Sequence, residues 1–215
     1  MTPLLVVENF RKQFGSRALF DIPRLELARG ASYVLTGDNG TGKTTLLKAL
    51  AGLESAEFGA MRYLDRDVSG DVLAELKRDV IYVHQHPYLF DTSVAANIAY
   101  GLKLRGIDAK EIMRRVYAAI DWAKLGEFSN TPPQRLSGGE KQRVALARAW
   151  VLQAPVMLFA EPTANLDQAS RDRVIELIDR AVGENNCVVV ACHDHEIINL
   201  PRVQRLHLEQ GTIRS

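Results

Sequence analysis

The residues Gly37-Asp38-Asn39-Gly40-Thr41-Gly42-Lys43-Thr44, followed by Thr45-Leu46-Leu47, fit the pattern G-x-x-x-x-G-K-[ST]. Glycines at those positions let the backbone curl until successive N–H groups face inward, where phosphate oxygens can accept from them. A helix that starts there adds a favourable partial positive charge. Lys43 supplies a charge able to bridge the β- and γ-phosphates, and the Thr44 hydroxyl suits Mg²⁺. The candidate nucleotide contacts in this stretch are Asn39, Gly40, Thr41, Gly42, Lys43, Thr44 and Thr45. The chemistry needs a strand ahead and a helix behind. Ser32 to Leu35 reads as the buried strand and Thr44 to Leu53 as the helix.

Other chemistry-bearing residues sit at the ends of expected elements. Leu136-Ser137-Gly138-Gly139-Glu140 precedes a helix running to about Gln153, with Val144, Leu146, Ala147 and Val151 on its apolar side. Such a start reads equally as a Ser-capped helix or as N–H donors and a hydroxyl offered to a phosphate. Glu161 follows the apolar strand Val156 to Phe159, His193 follows the strand Cys187 to Cys192, and Gln85 follows the strand Val80 to Val83. Phe14, in a turn between strands Leu4–Phe10 and Ile22–Leu27, fits a core or turn aromatic as well as a ring stacked on a base. His84 and His86 share a strand face in this reading, without a carboxylate or thiol close in sequence to complete a metal site. Cys187 and Cys192 point to opposite faces and read as buried, unbridged thiols.

Composition bounds the rest. The chain has 215 residues, 47% hydrophobic and 25% charged, with a net charge of +1, which argues against a nucleic acid partner. Its N-terminus lacks the basic and apolar regions of a signal peptide, and no apolar run approaches spanning length, so a cytosolic chain is expected. Further helices are expected from Ser93 to about Arg105, from an Asp108 cap to Ala123, and from Gln168 to Val182. Val203 to Leu208 and Thr212-Ile213 read as a hairpin around Gln210-Gly211.

In this order of elements the whole chain resembles the ATP-binding cassette (ABC) ATPases that power membrane transporters. The resemblance implies an α/β P-loop NTPase fold with a mixed core sheet (about 1–85 and 156–215) and a helical subdomain (about 86–155). It implies ATP and Mg²⁺ as cofactors, with Thr44 and Gln85 near the metal. Glu161 takes the place of the carboxylate that polarises water, His193 that of the switch histidine at the γ-phosphate, and Gln85 that of the Q-loop glutamine. Asn165-Leu166-Asp167 matches the D-loop, and Phe14 becomes the adenine-stacking aromatic. Ser137 and Gly139 match the signature that acts on nucleotide held by a second copy. The implied partners are therefore a head-to-tail homodimer, two membrane permease subunits and, indirectly, an extracytoplasmic substrate-binding protein. The implied location is the inner face of the membrane. Tyr88-Leu89-Phe90 is expected to receive a short helix of the membrane subunit, and the segment to Asn97 is similar to bacterial importers of oxyanions such as tungstate.

One position departs from the family. An aspartate usually precedes the catalytic glutamate, and here it is Ala160. Alanine cannot order the metal's hydration shell, so the expectations include an impaired ATPase. The alternatives kept open are a regulatory or scaffold cassette and a soluble cassette ATPase without a membrane partner.

Overall fold

The alternation of apolar residues near the N-terminus continues further than the short strands expected from it. β1 (Pro3–Phe14) and β2 (Arg17–Ala28) form one long antiparallel hairpin across Gly15-Ser16, where Gly15 supplies a φ of 57°. With β4 (Ala60–Tyr63) and β5 (Arg66–Asp67) they make a separate antiparallel sheet in the order β2-β1-β4-β5. This sheet and α2 (Gly70–Asp79) were not anticipated; β4 and β5 are too short to show a period, whereas Val72, Leu73 and Leu76 of α2 carry a helical spacing that was overlooked.

The computed structural model describes residues 2–164 and 166–214, so Asn165 of the expected D-loop lies outside the described residues. The second sheet has six strands in the order β10-β9-β3-β8-β7-β6: β3 (Ser32–Thr36), β6 (Val80–Val83), β7 (Val156–Ala160), β8 (Cys187–Ala191), β9 (Val203–Glu209) and β10 (Thr212–Arg214). The pairs β3–β8, β3–β9 and β7–β8 are parallel, and β9–β10 is antiparallel, which makes the sheet mixed. Every residue of β7 and β8 is buried, as expected for parallel strands covered on both faces. α1 (Lys43–Leu50) lays Leu46, Leu47 and Leu50 on this core, each worth about 1.5–3 kcal/mol of burial. Cys187 and Cys192 are free and buried, and desolvation pushes both thiols up to about 12, so they are inert.

These elements divide into two units. The first holds Met1–Tyr82, Ala154–Glu161 and Ile178–Ser215; the second holds Val83–Gln153 and Pro162–Leu177. The second is helical, with α3 (Val94–Leu104), α4 (Ala109–Trp122), α5 (Gly138–Leu152) and the first part of α6 (Gln168–Gly183). Ser93 caps α3 by accepting from Ala96 N–H, and Asp108 caps α4 by accepting from Lys110 and Glu111 N–H. Val94, Ile98, Leu102, Ala119, Val144 and Val151 form its core, and all four residues expected on the apolar side of α5 are buried. α7 (His195–Ile198) is a short turn in the first unit. Among the described residues no helix is long and apolar enough to cross a membrane.

Candidate functional site

Strand register brings the principal candidates of the first unit together. Leu35 of β3 pairs with Ala191 of β8, and Ala191 pairs with Ala160 of β7. The chain segments that leave these three parallel strands at one level are the glycine-rich loop, His193 and Glu161. In open α/β sheets this carboxyl edge is where ligands bind.

The loop's shape is set by three left-handed glycines: Gly37 at φ 142°, Gly40 at 80° and Gly42 at 106°. At Gly37 there is also no room, since a Cβ would sit 2.4 Å from the Leu208 carbonyl oxygen. Lys43 Nζ, buried, donates to the carbonyls of Gly37 at 2.7 Å and Asp38 at 3.1 Å, so it spans the loop from inside. Thr41 closes the loop by donating its N–H and its hydroxyl to Asp38 O. Gly42 caps α1 without a side-chain hydrogen bond. The N–H groups of Gly40, Gly42, Lys43, Thr44 and Thr45 meet no backbone acceptor among the described residues. A cluster of amides at a helix start, beside a lysine, is suited to a polyphosphate.

Glu161 lies one residue past β7 with a φ of 47°, a conformation that costs a non-glycine residue about 1–3 kcal/mol. Its N–H donates to Ala191 O at 2.8 Å, which extends the ladder and holds the turn in place. Glu161 Oε1 lies 3.8 Å from His193 Nε2, near but beyond hydrogen-bond reach, so neither group satisfies the other. Ala160 is 1% exposed and shares its face of β7 with Val156 and Leu158, in the core that α1 covers. No carboxylate stands at that position. Among the described residues no group of three or more His, Cys, Asp or Glu could hold a metal ion. The exposed Thr44 on the first turn of α1 fits a Mg²⁺ that arrives with phosphate oxygens, not a resident metal bound by protein alone. Phe14, 55% exposed, stands at the end of β1.

The second unit presents the remaining candidates. Gln85 is exposed in the bend after β6. His84 and His86 also lie beyond Val83, where the strand has ended, so the shared strand face expected of them does not exist. Ser137 caps α5 in a full capping box: its hydroxyl accepts from Glu140 N–H at 3.3 Å, and Glu140 Oε2 accepts from Ser137 N–H at 2.7 Å. These bonds hold the Glu140 carboxyl below the usual range. Gly139 is in the first turn of α5, with nothing within 4 Å of an added Cβ. Leu166 is buried, and Asp167 accepts from Ser170 N–H at 2.9 Å, capping α6.

Tyr88 is 76% exposed, whereas Leu89 and Phe90 are half-buried. The Phe90 ring packs on Tyr100 at 4.4 Å and meets Tyr88 edge-on at 5.9 Å. Arg148 lies over that ring at 5.1 Å and donates to Tyr88 O at 2.9 Å. The organiser of this segment is Asn97, fully buried, which bonds to Phe90 N–H and to the carbonyls of Phe90, Thr92 and Ser93. Sequence reasoning did not single it out; the signal was a lone amide at an otherwise apolar position of α3. Gln142 was missed likewise; buried, it donates to Pro162 O at 3.3 Å, beside Glu161 in the chain.

A family profile described as ABC transporter matches residues 20–164. The chain is 39% identical over 181 residues to the Fe(3+) ions import ATP-binding protein FbpC of Pasteurella multocida, covering 82% of this chain and 51% of that protein. It is 37% identical over 182 residues to the tungstate uptake system ATP-binding protein TupC of Peptoclostridium acidaminophilum, covering 85% of this chain and 81% of that protein. The chain thus spans about half the length of the iron-import relatives it matches. A solved dimeric structure of a bacterial ABC transporter cassette superposes with a TM-score of 0.87 at 25% identity, over 99% of this chain and 97% of that one.

Proposed function

The chain belongs to the ABC transporter family, and from that premise we propose that it binds and hydrolyses ATP to drive a bacterial import system. The observation that carries this reading is the register Leu35–Ala191–Ala160, which delivers loop, histidine and glutamate to one sheet edge. Asn39 to Thr45 hold the triphosphate, with Lys43 exchanging its loop carbonyls for phosphate oxygens. Glu161 orients and polarises the attacking water, and His193 contacts the γ-phosphate. Mg²⁺, held by Thr44, Gln85 and the phosphates, neutralises charge on the β- and γ-oxygens. Phe14 stacks on the adenine. Ser137 and Gly139 act on nucleotide bound to a second copy, in a head-to-tail dimer. The dimeric form of the superposed cassette supports that assembly.

Residues 86–155 serve as the helical subdomain of a single cassette. The exposed Tyr88 beside half-buried Leu89 and Phe90 forms part of a groove that receives a short helix from a membrane permease subunit, and two such subunits place the dimer at the inner face of the membrane. An extracytoplasmic binding protein delivers cargo to those permeases. Tungstate or a similar oxyanion is the proposed cargo, supported by the relative that the chain matches over most of its length.

The test is Mg²⁺-dependent release of phosphate from ATP by the purified chain. Glu161→Gln should lower that rate by about 10²–10⁴-fold while ATP still binds. A second reading, a hydrolysis-impaired regulatory or scaffold cassette, is favoured by the buried Ala160. It is adopted if the unaltered chain binds ATP and Glu161→Gln makes no difference to the rate.

A further inference from the structure

β1 changes character along its length. Phe10 is in the core, Lys12 is buried at 9% exposure, and Phe14 emerges at 55%. Their spacing of two suits one face of a strand, and although the pairing with β2 shifts register between Lys12 and Gln13, the Lys12 side chain still reaches the Phe14 ring. Lys12 is not a solvated charge at a strand end. Its Nζ donates to Glu54 Oε1 at 2.8 Å, to Ser55 O at 2.6 Å and to Ser55 Oγ at 3.3 Å, which uses every hydrogen it has. The same Nζ lies 4.8 Å from the centre of the Phe14 ring, within the range of a cation–π contact. The ion pair holds the Glu54 carboxyl below its ordinary range.

Glu54 and Ser55 lie just beyond the turn Ala51-Gly52-Leu53 that ends α1, whose other end begins at the glycine-rich loop. A nucleotide has a fixed span between base and phosphates. A protein that grips both ends must fix its base platform relative to its phosphate loop, and here the tie runs through Lys12 to the residues behind α1. From this geometry we infer that Lys12 is a positioning residue for nucleobase recognition: it anchors the Phe14 ring and references it to the helix that carries the phosphate loop. The inference rests on the reading of Phe14 as the base platform. Without the cation, an exposed ring at the strand end before a two-residue turn samples several rotamers, and each stacking event must order it again.

The experiment compares ATP with inorganic tripolyphosphate by calorimetry, both with Mg²⁺, on the purified chain. The ratio of the two affinities isolates the contribution of the nucleoside. Lys12→Met should lower this ratio by about 2–5-fold, the effect of losing one cation–π contact of 0.5–1 kcal/mol. Lys12→Arg, which keeps a cation over the ring, should restore at least half of the loss. Phe14→Ala should lower the ratio at least as far as Lys12→Met. Should Lys12→Met fail to fold, Glu54→Gln, which weakens the anchor from a partly exposed side chain, should lower the ratio in the same direction. An unchanged ratio in Lys12→Met, or in Glu54→Gln where that variant decides, overturns the inference when Phe14→Ala lowers it. An unchanged ratio in Phe14→Ala removes the platform reading itself, and the role of Lys12 with it.

Discussion

Two helices in this chain begin at glycine-rich segments, and they treat the amides of their first turns differently. At the start of α1 the cap is Gly42, which offers no side chain, and the amides from Gly42 to Thr45 find no backbone acceptor among the described residues. At the start of α5 the chain closes the helix on itself, with the Ser137 hydroxyl and the Glu140 carboxylate each accepting one N–H. An open start gathers donors for an anion that comes from outside. A closed start is stable alone, because the capping box already satisfies the N–H groups of Ser137 and Glu140. The contrast fits the roles proposed for them. The first unit would bind nucleotide by itself, whereas the signature would engage only when a second copy brings a phosphate.

The largest effect that would break this contrast is expected from Ser137→Arg. Hydrolysis should fall by at least about 100-fold, since an oriented donor is lost and a bulky cation fills the dimer contact. ATP binding to the monomer should stay unchanged, because the open start of α1 is untouched. Both tryptophans of the chain, Trp122 and Trp150, stack at 5.7 Å in the second unit, so their fluorescence reports whether that unit remains folded. Equal loss of monomer affinity would show that the signature acts within its own chain.

An intermediate effect is expected at Ala160. Ala160→Asp should raise the hydrolysis rate by about 10–100-fold and lower the Mg²⁺ needed for half-maximal rate. The position is 1% exposed, so the added carboxylate should also lower the melting temperature of the nucleotide-free chain. Mg²⁺-ATP should reverse that loss. A rate and a Mg²⁺ dependence that both stay unchanged would mean that no carboxylate is missing there.

The smallest effect tests the closed start. Glu140 has a depressed folded pKa through its bond to Ser137. Its contribution is therefore fully present above the ordinary glutamate range and lost as pH falls through the folded value. Glu140→Gln keeps an acceptor but removes the charge. It should flatten the acid limb of the unit's stability, by on the order of 0.3–0.5 kcal/mol after solvent screening. Tryptophan-monitored melts between pH 3 and 7 would measure it, and identical acid limbs would remove the carboxylate from the account of the cap.

Much of this architecture was legible because local chemistry announced it. The apolar runs of β7 and β8, the caps Ser93 and Asp108, and the Gly-Lys-Thr loop are signals carried within a few residues. The Ser-capped start at Ser137 was legible too, whereas its reciprocal bond from Glu140 came from the structure. Lys12 and Asn97 were not legible, since their partners, Glu54 with Ser55 and Phe90 to Ser93, depend on which backbone folds beside them. The antiparallel sheet was hidden for a similar reason, because β4 and β5 are too short to show a period and exist by pairing with β1. Sequence by itself determined the glycine-and-lysine pattern of the loop and the order of most of the elements, because motif spacing and side-chain periodicity are local. Tertiary structure decided that Glu161 and His193 face one another at 3.8 Å. It also decided that Ala160 is buried in the core that α1 covers and that Phe14 is tied through Lys12 to the segment just beyond that helix, because strand register and helix placement are set by burial across the whole unit.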